Sequence, residues 1–231
     1  MKICVIGNSH VASLKLGWDR VAAEFPGVEL SFFAARGRRM SGLVAKNGKL
    51  VAGTESLAAA MAFVSGGVRE VQAREYDAFI LYGLLILPRL ALGSSRALRR
   101  AATVDYLQSS VMHGVFAKMR SVTDKMVWIG PCPLAASYAE RSDYPMLDYP
   151  NVIADLASMF DDPMTSILGQ PLDTVLPSLT TDARFSEGAL RLPDPEASGN
   201  KREHPEGETK HMNAEFGALW LQANLPRVIA A

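Results

Sequence analysis

The turn that follows the first apolar run of the chain constrains the fold most. Residues 2–6 form a strand-like run, and Gly7, Asn8, Ser9 and His10 separate it from an amphipathic helical pattern. Glycine permits the backbone angles of a sharp turn, and asparagine tolerates the left-handed region. The apolar stripe of the helix that follows consists of Val11, Leu14, Trp18, Val21, Ala22 and Phe25. The pattern therefore predicts a strand, a tight turn and a helix, with Ser9 at the carboxyl end of the strand.

At this position the Ser9 hydroxyl would lie next to the amino end of a helix. The first N–H groups of a helix have no partner within it, and its dipole favours negative charge there. A serine hydroxyl is a weak nucleophile until an imidazole takes its proton and a carboxylate orients that imidazole. Glu208 and His211 stand three residues apart just before the last helix and can fill these roles. We predict that Ser9 is the nucleophile, His211 the base and Glu208 the orienting acid, with Ser9 N–H as an oxyanion donor; the alternative is that Ser9 only caps the helix.

The two ends of the chain resemble the SGNH, or GDSL-like, hydrolase family of serine esterases and acyl-transferring relatives. Its first block resembles the segment from Gly7 to His10, and its last block carries an Asp three residues before the catalytic His. Glu208 stands at the place of that Asp, and glutamate is the third member in other serine hydrolases. The resemblance implies a three-layer α/β/α sandwich around a central, mostly parallel sheet, of the flavodoxin-like SGNH hydrolase type. It also implies an acyl-Ser9 intermediate, a short-chain ester substrate such as an acetylated carbohydrate, and no metal or organic cofactor.

The second block of the family supplies an oxyanion donor from a glycine. Residues 36–42 resemble this block, and Gly42 is the matching glycine, so we predict Gly42 N–H as the second oxyanion donor. The same segment holds Arg38 and Arg39. These guanidinium groups could bind an anionic part of the substrate, although arginines in a polar loop also serve as solvated surface charges.

The third block departs from the family pattern. The resemblance places an asparagine two residues after Gly83, but Leu85 stands there. Loss of one oxyanion donor costs about a hundred- to a thousandfold in turnover. Asn151 or Arg89 could replace the amide, and the sequence selects neither; Gly83 itself follows a predicted strand and could line the substrate site. Three functions stay open: an esterase, an acyltransferase on the same frame, and a ligand-binding protein that has lost efficient hydrolysis.

Histidine and acidic side chains near the last helix raise a competing metal hypothesis. His204, Glu206, Glu208 and His211 offer nitrogen and oxygen ligands, to which His10 could add an imidazole. The spacing matches no helical zinc motif, and the first turn lacks the glycine pattern and lysine of phosphate-binding loops. We therefore predict no metal site and interpret His10 as a hydrogen-bonded residue of the pocket.

Strand and helix patterns alternate along the chain. The patterns predict strands at 28–34, 77–82 and 126–129, a hairpin at 43–52 around Asn47 and Gly48, and helices at 54–64, 94–119 and 151–160. Such alternation predicts a parallel sheet covered on both faces, with a ligand crevice at the carboxyl ends of its strands. We expect one domain over residues 1–231, in which the proline-containing stretch 169–205 forms a rim or lid.

Composition excludes several classes of partner. The 231 residues are 48% apolar, and 24 Lys and Arg balance 24 Asp and Glu. A neutral chain has no global field for nucleic acid or an anionic membrane, so we expect neither partner and a small-molecule or carbohydrate ester instead. The apparent lack of an export signal or membrane span indicates the cytoplasm, where Cys4 and Cys132 would be buried thiols. Nothing in the sequence predicts the oligomeric state.

Overall fold

The structure is a computed structural model that describes residues 1–86, 96–137, 149–196 and 203–231. Its strands are β1 (Lys2–Gly7), β2 (Glu29–Ala34), β3 (Leu43–Lys46), β4 (Lys49–Ala52), β5 (Glu70–Gln72), β6 (Ala78–Tyr82), β7 (Val127–Gly130), β8 (Ala136–Ser137), β9 (Thr165–Ile167), β10 (Val175–Leu176) and β11 (Thr180–Asp182). Its helices are α1 (Val11–Val21), α2 (Glu55–Ser65), α3 (Arg96–Ser109), α4 (Val111–Arg120), α5 (Tyr149–Ala157) and α6 (Ala214–Ile229).

Five parallel strands form the central sheet in the order β2-β1-β6-β7-β9. In β1, Gly7 pairs with Ala34 of β2 on one side and with Tyr82 of β6 on the other. Because the strands are parallel, their carboxyl ends share one edge of the sheet, and the turn after β1 lies near its middle. The four predicted core strands are confirmed to within one residue at each end, whereas β9 lies where no strand was predicted.

Helices cover both faces of this sheet, because side chains of a strand alternate between the faces. In β1, Cys4 and Ile6 point into a core completed by α2, α3, α4 and α5, and Ile3 and Val5 point into a core completed by α1 and α6. All four side chains are fully buried. The predicted three-layer α/β/α fold is confirmed.

Two glycines bring α1 and α6 into backbone contact. A Cβ atom on Gly217 would lie 1.8 Å from the carbonyl oxygen of Ser13, and one on Gly17 would lie 2.3 Å from Ala218 N. Farther along α6, Gln222 Nε2 donates to the carboxylate of Glu24, in the 3₁₀ turn just after α1, at 2.9 and 3.0 Å. The two helices therefore run in the same direction. Their amino ends, which carry Ser9 and His211, lie at the same edge of the sheet.

The helix predicted over 94–119 is wrong as a single element. Its described part divides into α3 and α4 at Ser110, whose backbone is extended with φ −77° and ψ 154°. The Ser110 hydroxyl accepts from His113 N–H at 3.1 Å and so caps α4. Serine is a favoured N-cap, and here its local hydrogen bond replaces helix continuation.

Other local predictions hold with shifted ends. The hairpin around Asn47 and Gly48 is confirmed, with φ of 51° and 73° at these residues, as a type I′ turn requires. Thr54 caps α2 through a bond from Leu57 N–H at 3.2 Å. The helix predicted at 151–160 begins two residues earlier and ends at Ala157.

The described part of the predicted rim, residues 169–196, is built into the fold. Strand β10 pairs with β11, which pairs with β8, and Phe185 lies fully buried in the core beside α6. Gln170 is also buried, and its Nε2 donates to Thr174 Oγ1 and Thr181 Oγ1 at 3.0 and 3.1 Å. Buried apolar contacts and side-chain bonds of this kind favour a fixed rim over a lid that opens freely.

Both cysteines are free and buried, as predicted. Burial raises the pKa of the Cys132 thiol to about 12, so this side chain stays protonated and acts as a small apolar residue that donates to the Gly83 carbonyl. Among the described residues, no helix is long and apolar enough to cross a membrane.

Candidate active site

Asn8 braces the turn after β1. Its Nδ2 donates to the carbonyl of Gly83 at 2.5 Å, and its Oδ1 accepts from His10 N–H at 3.0 Å. Because Gly83 follows β6, the Asn8 side chain joins the ends of two neighbouring strands. Helix α1 begins at Val11 with His10 as its N-cap and no side-chain cap bond. Ser9 therefore does not cap the helix, and its hydroxyl can take another partner.

That partner is the imidazole of His211, 202 residues away in sequence. Ser9 Oγ and His211 Nε2 lie 2.9 Å apart. The loop that carries His211 is held by Asn213, whose Oδ1 caps α6 and whose Nδ2 donates to the carbonyls of Arg184 and Glu187 at 2.9 and 3.0 Å. The pair thus rests on two helix starts that are packed against each other.

Glu208 lies near His211 but at a loose distance. Its Oε1 is 3.8 Å from His211 Nδ1, beyond hydrogen-bond range, and accepts from Lys210 N–H at 2.6 Å. His211 Nδ1 is buried and has no hydrogen-bond partner among the described residues. Burial lowers the pKa of His211 below its ordinary value and outweighs the raising effect of the Glu208 carboxylate. The imidazole is therefore held mainly in its neutral form, which a general base requires.

Two further imidazoles stack on the ring of His211. The ring centroids of His204 and His211 are 4.0 Å apart at an interplanar angle of 14°, and those of His10 and His211 are 4.8 Å apart at 21°. Burial, followed by repulsion from His211, lowers the pKa of His10 to about 3 and that of His204 to about 4. Both flanking rings are thus neutral near pH 7. From the sequence, His204 was expected only as a possible metal ligand, because a histidine in a polar, proline-containing run carries no signal for stacking.

The same side chains bear on the metal hypothesis. Ligand atoms of His204, Glu208 and His211 lie within 4.8 Å of one another, while Glu206 is exposed to solvent. A metal ion binds an imidazole nitrogen through a lone pair in the plane of the ring. Because the rings of His204 and His211 lie face to face, one ion cannot lie in both planes. The arrangement fits ring stacking better than it fits a shared ion.

The described residues that follow β6, 83–86, contribute no side-chain amide to the site. Leu85, at the position where the family has asparagine, is fully buried in the core, and its carbonyl accepts from Cys132 N–H at 2.6 Å. Of the two suggested replacements, Asn151 lies on the exposed surface of α5, and Arg89 lies outside the described residues. The structure thus selects neither of them as the missing donor.

The predicted oxyanion glycine lies in the segment after β2. Gly42 ends a 3₁₀ helix, Arg39–Gly42, and its carbonyl accepts from Gly53 N–H at 2.9 Å at the base of the β3–β4 hairpin. The N–H of Ser9 stands immediately before α1, where the helix dipole is positive. The use of both N–H groups by an oxyanion stays a prediction.

Gly83 is committed to packing. Its N–H donates to the Gly130 carbonyl at 2.9 Å, and its own carbonyl accepts from Asn8 and from Cys132 Sγ. Its φ is 71°, and a Cβ atom would lie 2.7 Å from Asn8 Oδ1. The predicted role of Gly83 in substrate binding is therefore not favoured, because both backbone groups already have partners in the protein.

Neighbouring arginines of the 36–42 segment have different roles. Arg36 donates twice to the Leu192 carbonyl, at 2.6 and 2.8 Å, and Arg39 pairs with Asp194 and Glu196. These contacts join the rim to the segment that follows β2, a role that differs from the substrate binding predicted for Arg39. Arg38 is exposed, so its predicted role in binding an anionic group stays open.

We compared the chain with protein families, curated sequences and solved structures. No protein-family profile and no curated protein sequence matches the chain. Among solved structures, it is similar to the periplasmic domain of a lipopolysaccharide acetyltransferase from Salmonella ser. Paratyphi A, with a TM-score of 0.51 and 9% identity over 99% of this chain and 83% of that one.

Two further similar structures are more distant. A carbohydrate esterase family 2 enzyme with a carbohydrate-binding domain, from Corynascus thermopiles (Myceliophthora fergusii), has a TM-score of 0.40 and 13% identity over 99% of this chain and 65% of that one. A lipase from a goat rumen metagenome has a TM-score of 0.37 and 12% identity over 80% of this chain and 91% of that one. At these identities the likeness concerns the fold alone, which is the three-layer α/β/α sandwich described above.

Proposed function

We propose that this protein is a serine hydrolase of ester bonds. The observation that carries the proposal is the 2.9 Å contact between Ser9 Oγ and His211 Nε2, made by residues from opposite ends of the chain. If Ser9 only capped α1, its hydroxyl would bond to a backbone N–H of that helix and not to an imidazole. If His211 only filled space, its Nε2 would not have to face the hydroxyl of a residue at the end of a strand. The pair fits nucleophilic acyl transfer.

The reaction proceeds in two half-reactions. Ser9 Oγ attacks the ester carbonyl while His211 Nε2 takes its proton, and the tetrahedral oxyanion is stabilised by Ser9 N–H and Gly42 N–H. His211 then gives the proton to the leaving alcohol as the ester bond breaks, which leaves an acyl-Ser9. Water, deprotonated by His211, then attacks the acyl carbonyl. The bond from the acyl group to Ser9 Oγ breaks, His211 gives its proton to that oxygen, and a carboxylic acid leaves. Glu208 favours the imidazolium form of His211 in both steps through its charge.

The substrate we propose is a short-chain ester, acetyl being the first candidate, on a carbohydrate or another small alcohol. The support is the resemblance of the first and last sequence blocks to SGNH hydrolases and the neutral overall charge, which favours neither a nucleic acid nor a membrane partner. We propose a cytoplasmic location on the basis of the sequence alone.

A second candidate function is ligand binding without efficient turnover. The buried Leu85 favours it, because the family's third oxyanion donor is missing from the described part of the site. An acyltransferase differs from the hydrolase only in the acceptor of the acyl group, so it shares the same acyl-Ser9.

Covalent labelling tests these proposals. A fluorophosphonate probe should add to Ser9 alone, as read by intact mass and peptide mapping, and Ser9→Ala and His211→Ala should abolish labelling while near-UV circular dichroism stays unchanged. Absence of labelling in a folded wild-type protein would favour ligand binding. Unlabelled wild-type protein should then be tested with p-nitrophenyl acetate, with and without an added sugar alcohol, since an acetylated sugar product would identify a transferase.

A further inference from the structure

The imidazoles of His10, His204 and His211 form one stack. His10 and His204 each make a nearly parallel ring contact with His211, and they make no ring contact with each other among the described residues. The ring of His211 therefore lies between them. Its Nε2 faces Ser9 at one edge of the stack.

The two flanking rings are attached to separate, well-held parts of the backbone. His10 N–H donates to Asn8 Oδ1, and the His10 carbonyl accepts from Ser13 Oγ at 2.9 Å in the first turn of α1. His204 N–H donates to the Ala189 carbonyl at 3.1 Å, next to an antiparallel bridge between Leu190 and Glu203. His204 precedes His211 by seven residues in the same segment, but its backbone bond is made to the rim.

The stack matters because Glu208 does not hold the base. In a serine hydrolase a carboxylate bonded to the second ring nitrogen fixes the tautomer and the orientation of the imidazole. Here Glu208 is 3.8 Å from His211 Nδ1 and its Oε1 is bonded to Lys210 N–H. Rotation of the His211 ring is therefore limited by the rings packed on its two faces, and not by a hydrogen bond to Nδ1.

We propose that His204 and His10 are positioning residues that clamp the two faces of the His211 imidazole and so keep its Nε2 directed at Ser9 during acyl transfer. The inference rests on the proposed function of Ser9 and His211. It adds to that function two residues that act through the imidazole of His211.

The clamp also suits the charge that forms during the reaction. When His211 takes the Ser9 proton it becomes an imidazolium, and a neutral aromatic face attracts a cation. The flanking rings can serve only while neutral, and burial lowers the pKa of both. Around the stack, Glu208 favours the cation, whereas Lys210 and Arg191 oppose it. The same arginine and Arg36 also act on His204.

A pair of substitutions at His204 separates stacking from other roles. His204→Phe keeps an aromatic face but no ring nitrogen, and His204→Ala removes both. We expect His204→Ala to lower kcat for p-nitrophenyl acetate by about tenfold or more with little change in KM, because the base loses its orientation. His204→Phe should retain most of the activity. If Phe damages kcat as much as Ala, a nitrogen of His204 is needed, as a ligand or proton acceptor, and the clamp is wrong.

A measurement without turnover keeps this inference separate from the proposed function. In protein with isotope-labelled histidine, NMR titration reports the pKa of His211 directly. We expect His204→Ala to raise that pKa towards its ordinary value, because the loss of burial, which is the largest cause of the shift, outweighs the loss of an aromatic face. His204→Phe should leave that pKa unchanged. An unchanged pKa in His204→Ala would overturn the clamp even if Ser9 labels normally. A failure of Ser9 to label, together with the expected pKa change, would overturn the hydrolase and leave the ring stack without its role in acyl transfer. Zinc-dependent activity lost in His204→Phe would also overturn the clamp in favour of a metal site.

Discussion

Two turns at the same edge of the sheet show what a strand end can and cannot do. Both the turn after β1 and the turn after β6 follow buried parallel strands that pair with each other. The first holds Ser9 in contact with a histidine, while the second buries Leu84 and Leu85 in the core. The end of a parallel strand thus places a residue at the edge of the sheet where a ligand could bind. The polarity of the side chain then decides whether the residue faces the crevice or the core.

The largest expected change in stability comes from placing a polar side chain in the turn after β6, as the turn after β1 has. Leu85→Asn places an amide in a fully buried apolar position, which should lower the free energy of unfolding by about 3–5 kcal/mol without raising turnover. Urea denaturation and ester hydrolysis measure the two effects, with Leu85→Met as the volume-matched control. A stable Leu85→Asn protein with faster hydrolysis would show that this turn can aim a side chain at the site.

The close contact between α1 and α6 supports the turn after β1, and a substitution in α6 can break it. Gly217→Ala puts a Cβ atom 1.8 Å from Ser13 O, so α1 and α6 must separate, at a cost of about 3 kcal/mol, and Ser9 labelling should slow. Gly114→Ala is the matched control, since Gly114 also lies within a helix but has open space around it, and it should stabilise α4 by about 1 kcal/mol. Equal melting temperatures for the two variants would contradict this account of the helix pair.

Arg38 and Arg39 are adjacent but differ in the same way: Arg39 is used in packing, whereas Arg38 is exposed and free to meet a ligand. Arg39→Ala leaves the Asp194 side chain, which is only 8% exposed, with Arg36 at 3.9 Å as its remaining ion-pair partner. We expect a loss of about 2 kcal/mol and faster proteolysis of residues 192–196. Arg38→Ala should change stability by less than about 0.5 kcal/mol. A raised KM for an anionic ester in Arg38→Ala would support its predicted binding role, and unfolding of that variant would argue against it.

The smallest expected effect concerns the loosely placed acid beside the first turn. Glu208→Gln removes a charge that raises the pKa of His211, so that pKa should fall further and the acid limb of kcat/KM should move to lower pH. The turnover itself should fall by about tenfold or less, because no Glu208–His211 hydrogen bond is lost. Exposed Glu206→Gln is the control and should leave the profile unchanged. A shift of the limb to higher pH would mean that the acid acts on a group other than His211.

Much of this arrangement could be predicted because its signals are local. A strand, a glycine-containing turn and an amphipathic helix placed Ser9 at the edge of the sheet, and an acid three residues before a histidine pointed to His211. The break at Ser110 also had a local signal, namely the preference of serine for helix N-caps, but the continuous apolar stripe of the flanking segments hid it. Strand β9 is three residues long and pairs with β7 on one side only, so its own sequence has little pattern to detect.

The sequence by itself determined the alternation of the four predicted core strands with helices, the place of Ser9 after the first strand, and a histidine with an acid three residues before it. These features depend on side-chain periodicity and turn chemistry over a few residues. Only the tertiary structure decided that Glu208 stays out of hydrogen-bond reach, that Gly83 is used in packing, and that His10 and His204 cover the faces of His211. These outcomes depend on distances between residues far apart in the chain. Such distances are set by the close contact of α1 with α6 and by the packing of the rim, which no local pattern records.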